Sequence, residues 1–281
     1  MEGLVEMDPK EILMLIGNIS PHAKEYVEQA FENNQVDIIY SVSTEENKGV
    51  FIAVNNEDCC IFYAYFFYEN NIEHILEIIK NKTKEYISKI DSKEICFNVY
   101  GNNLKIINQI RKLGFKADVE GYHLEFIGKE LPDINCCNLI DKGFENDMLK
   151  EFINLFDSSY YQLYIDNGWQ VNSNAINEEQ FCKKLIDLDK YGQVRSFWVN
   201  NELVGAYIFH QNYITDLVVK PTVQNKGYGS YILAHCIKNM STNKFIRNIR
   251  LRVAKSNIGA KKLYERNGFI EIAYFSEHIY E

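Results

Sequence analysis

Residues 212–231 read NYITDLVVKPTVQNKGYGSY, and the fold turns on this stretch. Ile214, Leu217, Val218 and Val219 make a short apolar run of the kind that forms a buried strand. Pro221 has no amide to give to a ladder, so the strand should end at Lys220. Beyond a short loop, Tyr231, Ile232, Leu233, Cys236 and Ile237 recur at helical spacing. A strand therefore becomes a helix across Gln224, Asn225, Lys226, Gly227, Tyr228, Gly229 and Ser230. The first amides of such a helix lack intrahelical partners and lie at the positive end of its dipole, and Gly227 and Gly229 have no Cβ to keep an anion away. Pyrophosphate binding is the chemistry on offer, beside the plainer reading of an ordinary helix start.

Spelling excludes two other phosphate loops. The nucleotide P-loop needs Gly-Lys-Ser/Thr, and the dinucleotide fingerprint needs GxGxxG with an acidic residue about twenty positions on; neither is present. What is present is QxxGxG after a strand. A second stretch, NIGAKKLYERNGF at residues 257–269, follows an alternating strand in which Ile249, Leu251 and Val253 interleave with Arg250 and Arg252. Asn257 and Ser256 suit a helix cap and Gly268 a left-handed exit. These two motifs, in this order, resemble the coenzyme A loop and the following Asn…Ala…Leu-Tyr…Gly-Phe motif of the GNAT superfamily of N-acetyltransferases.

That resemblance implies a site. Backbone groups of Leu217, Val218 and Val219 would follow the pantetheine arm, with the Val219 amide near the thioester oxygen. Gln224, Asn225, Lys226, Gly227, Tyr228, Gly229 and Ser230 would hold the pyrophosphate, while a bulge that splays the neighbouring strands would open the slot for pantetheine. Tyr264 would be the general acid for the departing thiolate, against the alternative of a core tyrosine. Asn257 is implied to touch pantetheine, although its capping role explains it equally well. Asp216 is the first candidate for the base or for orienting the acceptor, with His210, His278 or an ordered water as others. The implied reaction is direct transfer of acetyl from acetyl-CoA to a primary amine on a small molecule or peptide. A non-catalytic module that binds CoA or acyl-CoA is the alternative, and RNA contact through the basic C-terminal segment a third reading.

The chain also repeats itself. ICFNVYGNNLKIINQIRKLGF at 95–115 lies without a gap on IRLRVAKSNIGAKKLYERNGF at 249–269, matching Asn103 to Asn257 and Gly114 to Gly268. Two tandem GNAT-like lobes of α/β (α+β) class follow, each a mixed, mostly antiparallel sheet flanked by helices, over 1–128 and 134–281. Ile110 stands where the second copy has Tyr264, and Tyr68 to Asn71 bring no glycine before the next helix. The first lobe is thus expected to be degenerate and without turnover.

At 281 residues, with 46% apolar and 14% aromatic residues, the chain has material for two cores. Seven cysteines without CxxC read as reduced thiols, and the histidines show no ligand spacing, so no metal is expected. The first residues lack the order of a signal peptide, and the longest apolar run, Cys59 to Tyr68, is too short for a bilayer. A cytoplasmic monomer or homodimer with no membrane and no nucleic-acid partner is expected. Net charge is −9, yet between Lys220 and Gly268 the cations Lys226, Arg247, Lys262, Arg266 and others face a single acid, Glu265. Attraction for the phosphates of coenzyme A would explain this, as would a solvated surface.

In chain order, helices are predicted at 11–16 and 22–33, strands at 36–42, 50–54 and 59–67, a helix at 72–90, a strand around 95–99 and a helix at 103–113, followed by a pair of short strands. Then come a strand at 134–140, a helix at 144–164 carrying Met148, Phe152, Phe156 and Tyr160 as core residues, a loop over 166–174, a helix at 178–188 and a hairpin of 193–199 with 203–210. In the family this helix–loop–helix borders the acceptor.

Overall fold

A computed structural model describes residues 7–44, 47–67, 72–89, 94–128 and 139–280. The chain has the mixed α/β character expected, with mostly antiparallel strand pairing and flanking helices. It divides into two compact units, Met1–His123 with Glu271–Glu281, and Leu124–Ile270. The part of the expected strand over 134–138 lies outside the described residues.

The first unit opens with α1 (Pro9–Gly17) and α2 (Pro21–Glu32). Each starts on a proline whose missing amide costs nothing at the first helical position. Asp8 caps α1 through the Lys10 amide at 2.9 Å, and Ser20 caps α2 through the Ala23 amide at 3.3 Å. The meander β1 (Val36–Ser43), β2 (Lys48–Asn55) and β3 (Cys59–Phe66) follows, then α3 (Ile72–Lys89), β4 (Glu94–Tyr100), α4 (Leu104–Lys112) and β5 (Phe115–Phe126). β5 is one long strand where two short ones are predicted. Alternation in β2 buries both faces: Phe51 and Ala53 join α3 and α4, while Val50, Ile52 and Val54 join α1 and α2.

The end of the chain also lies in this unit. The last strand, numbered β11 (Phe269–Tyr280), pairs antiparallel with β4 from Phe275 opposite Tyr100 to Ile279 opposite Cys96. The sequence reading gives residues 271–281 to the second lobe, because an alternating strand announces its two faces but not the edge it will join.

The second unit holds β6 (Ile140–Lys142), α5 (Leu149–Asn167), α6 (Ser173–Ile176), α7 (Glu178–Asp189), β7 (Val194–Val199), β8 (Glu202–His210), β9 (Tyr213–Val219), α8 (Tyr228–Thr242), β10 (Arg250–Ala254) and α9 (Ile258–Arg266). The short α6 lies inside the predicted loop. Strand order is β10-β9-β8-β7-β6, antiparallel except between β9 and β10. Phe152, Phe156, Phe181 and Leu185 pack with Ala206, Ile208 and Val218 to form the core under α5 and α7. Gly205 brings α8 onto β8, because a Cβ there would meet Ile232 Cδ1 at 2.4 Å and the Val218 carbonyl at 2.8 Å.

Candidate active site

One residue too many on β9 makes the site. Ile208 of β8 faces Asp216, but Phe209 faces Ile214, so Thr215 bulges between them. β10 pairs with β9 only at Arg250–Tyr213 and Leu251–Ile214. Past the bulge β9 runs on to Val219 with no β10 residue in register. Its free edge becomes one wall of a cavity of about 230 Å³, lined by Leu217, Val218 and Val219 of the strand, Gln224, Asn225, Gly227 and Gly229 of the turn, and Asn257 and Tyr264.

The turn has the backbone an anion cradle needs. Gly227 holds φ at +89°, a left-handed conformation that L side chains enter at a cost, and Asn225 lies at +63°. The first bond closing α8 runs from the Tyr231 amide to the Gly227 carbonyl at 3.2 Å. The amides of Tyr228, Gly229 and Ser230 precede it and so have no acceptor within the helix. A Cβ on Gly229 would stand 3.2 Å from Leu263 Cδ2, so this glycine lets α8 rest on α9. Lys226, Tyr228 and Ser230 do not line the cavity, and the Ser230 hydroxyl accepts from Asn267 Nδ2 at 3.2 Å. Gln224 Nε2 instead donates to the Val219 carbonyl at 3.0 Å.

Asn257 is a helix cap that also stands at the cavity. Its Oδ1 accepts from the Ala260 amide at 3.1 Å, capping α9, and the residue also lines the cavity. Tyr264, on the buried face of α9, is only 7% exposed and reaches the same cavity. Burial first, then the charge of Asp216 and the Cys236 thiol, hold its phenol well above the usual tyrosine range.

Asp216 sits immediately after the bulge and has three side-chain partners. Tyr160 Oη donates to Oδ1 at 3.2 Å; Thr215 Oγ1 at 3.0 Å and Lys184 Nζ at 3.4 Å approach Oδ2. Burial and the Asp216 carboxylate likewise raise the Tyr160 phenol well above its ordinary value. The two other candidate bases lie elsewhere. His210 is exposed at the end of β8, and His278 belongs to the first unit, where Arg111 Nε donates to its Nε2 at 3.2 Å.

The four-residue recurrence along α5 does mark the core at Phe152 and Phe156. Met148 and Tyr160 are half-buried and pack against that core, and Tyr160 also lines the cavity and is bonded to Asp216. Its partner two strands of sequence away could not be read from α5 alone. Ser159, whose hydroxyl donates to the Val219 carbonyl at 3.3 Å, and Gly259, Ala260, Leu263 and Arg266 are further lining residues. Of the basic cluster, Lys220, Arg250 and Lys261 are engaged by Glu202, Glu125 and Glu265. For these cations the solvated-surface reading applies, whereas Arg266 borders the cavity.

The first unit treats the repeated motif differently. β3 and β4 stay in parallel register from Cys59–Glu94 to Ala64–Val99. Asn103, the counterpart of Asn257, is buried with Oδ1 accepting from the Phe66 amide at 3.0 Å and Nδ2 donating to the Phe66 carbonyl at 2.8 Å. The described strand edges that part in the second unit are here laced together.

A bulged strand, a neighbour that parts from it and a glycine turn opening a helix thus meet around one cavity in the second unit. Residues 149–269 match the model of the acetyltransferase (GNAT) family. The second unit therefore carries a stretch that matches the GNAT family. Among solved structures, a GCN5-related N-acetyltransferase from Sphaerobacter thermophilus superposes with a TM-score of 0.54 at 12% identity, over 97% of this chain and 93% of that one. A GNAT-family acetyltransferase from Colwellia psychrerythraea gives 0.51 at 14% identity, over 86% and 84%. Both likenesses are of fold. No curated protein sequence matches the chain. Among the described residues, no helix is long and apolar enough to cross a membrane.

Proposed function

We propose that the second unit transfers acetyl from acetyl-CoA to a primary amine on a small molecule or peptide, by direct attack of the amine on the thioester. The observation that carries this reading is the single cavity shared by the free edge of β9, the Gly227 turn and the Tyr264 phenol.

Each part has a task. The pantetheine amides add to the edge of β9 as an extra strand would, along Leu217 to Val219. The amides at the start of α8 take the pyrophosphate, with Gly227 and Gly229 leaving it room and Gln224, Asn225 and Arg266 beside it. Tyr264, kept protonated by its burial, gives its proton to the departing thiolate. A lysine-type amine, with a pKa of about 10.4, arrives mostly as an ammonium, and Asp216 both attracts it and takes its proton. Tyr160 holds that carboxylate in place. The first unit is read as a degenerate lobe without turnover, since Asn103 and the continuous β3–β4 ladder fill the corresponding slot.

Calorimetry with CoA, together with thiol release from acetyl-CoA in the presence of an amine panel, tests the reading. Saturable CoA binding and amine-dependent thiol release are expected. Binding with no release for any amine favours the acyl-CoA-binding module, and no binding removes both.

A further inference from the structure

Next to the cavity, whose lining includes Tyr160 and Leu217 but neither Asp216 nor Lys184, an amine of the chain itself meets the Asp216 carboxylate. Lys184 Nζ lies 3.4 Å from Asp216 Oδ2, with its side chain 48% exposed and that of Asp216 18%. α7 fixes its position: Phe181 packs on Phe156 with ring centroids 5.3 Å apart, and Leu185 is fully buried. One turn further on, the neighbouring helix α5 presents Tyr160, and α7 presents Lys184, to the same carboxylate. An exposed ion pair of this kind is worth about 0–1 kcal/mol, so stability is a weak reason for placing a lysine here. Its partner, however, directly precedes the strand edge along which the thioester would lie.

Resting on the proposed acetyl transfer, we infer that Lys184 is an intramolecular acceptor, so that the chain acetylates itself at this side chain. Asp216 takes a proton from the ammonium, the freed Nζ pair attacks the thioester carbonyl, and the C–N bond forms as the C–S bond breaks. The thiolate leaves with the Tyr264 phenol proton. Of the three ammonium protons, one remains on the amide nitrogen, one replaces the phenol proton by way of Asp216 or water, and one passes to solvent. The product is neutral N-acetyl-Lys184 and free CoA thiol. Acetylation removes the cation from Asp216 and leaves that carboxylate to an incoming amine.

Lys183 is an internal control. It is the preceding residue on α7 but borders a different groove, with Leu149, Glu178, Glu179, Cys182 and Ile186. The test incubates the full chain with acetyl-CoA and no added amine, and reads acetyl occupancy peptide by peptide, beside calorimetry with CoA. Lys184 should be modified roughly tenfold or more faster than Lys183, with a rate constant unchanged on dilution, because the reacting groups are held together. Lys184→Arg should abolish the modification, and Asp216→Asn and Tyr264→Phe should slow it. CoA binding with equal labelling of Lys183 and Lys184, or a rate that scales with protein concentration, overturns self-acetylation while leaving the proposed transferase intact. Failure to bind CoA overturns both.

Discussion

Replacing Tyr264 by phenylalanine removes one oxygen from the cavity and little else. The ring keeps its packing on Phe269, whose centroid lies 5.9 Å away, and the cavity wall keeps its shape. CoA affinity should therefore stay within about twofold, since the hydroxyl is used only as the thiolate leaves. General acids commonly contribute about 10²–10⁴ in rate. A thiolate, its acid having a pKa of about 8.5, is a better leaving group than an alkoxide and needs less help. The expected loss in kcat is roughly ten- to a thousandfold, or about 1.4–4 kcal/mol of barrier. Thiol release measured against amine concentration separates this from a binding defect. The pH profile adds a second readout. Burial and Asp216 raise the Tyr264 phenol, so the acid stays protonated through neutral and mildly alkaline pH. The wild-type rate should rise as the acceptor amine deprotonates and show no falling limb below about pH 10. A variant turning over within twofold of the wild type would remove Tyr264 from proton transfer.

Gly227→Val should weaken CoA binding by about tenfold or more, because a β-branched residue at φ +89° costs at least 1–2 kcal/mol and fills the cradle; unchanged calorimetric affinity would place the phosphates elsewhere. Asn103→Leu leaves the Phe66 amide and carbonyl without their buried partner, for a loss of about 2–4 kcal/mol in the unfolding transition of the first unit. An unaltered urea midpoint would contradict that role. Burial and Arg111 lower the His278 imidazole to about 4, so the folded state favours its neutral form. Stability from this group is fully present above about pH 6.5 and falls towards pH 4, by an amount on the order of 3 kcal/mol; His278→Gln should flatten that part of the urea-midpoint profile.

The elements that organise the site were legible because their signals are local. Pro221 ends β9, the glycines of the turn announce the helix start, and Asn257 and Gly268 bracket α9. Residues that act through distant partners were not legible. Tyr160 has the same four-residue spacing as Phe156, and only the bulge at Thr215, a property of pairing and not of composition, turns Asp216 towards it. Lys184 reads as one of many exposed helix lysines until α7 is packed on α5. The path of β11 was hidden for a similar reason. Phe275 and Ser276 show the alternation of a strand, but their partners, Tyr100 and Val99, are set by tertiary pairing.

The two copies of the strand–helix motif show how little separates a cleft from a core. Both keep an asparagine at the start of the helix and a left-handed glycine at its end, Asn103 with Gly114 and Asn257 with Gly268. In the first unit the parallel ladder continues, so the nearest unmet backbone groups belong to Phe66, and the Asn103 amide turns to them instead of capping α4. In the second unit the register shifts at Thr215, and β10 pairs with β9 only at Arg250–Tyr213 and Leu251–Ile214. Here Asn257 accepts from the Ala260 amide and caps its own helix. Buried backbone groups must find partners, and past the β10 pairing the Val219 carbonyl finds its own in the Ser159 and Gln224 side chains. The asparagine's partner therefore differs between the copies as the strand pairing does. What sets the candidate site apart from the first unit's copy is the register shift at Thr215 and the short β9–β10 pairing beside it.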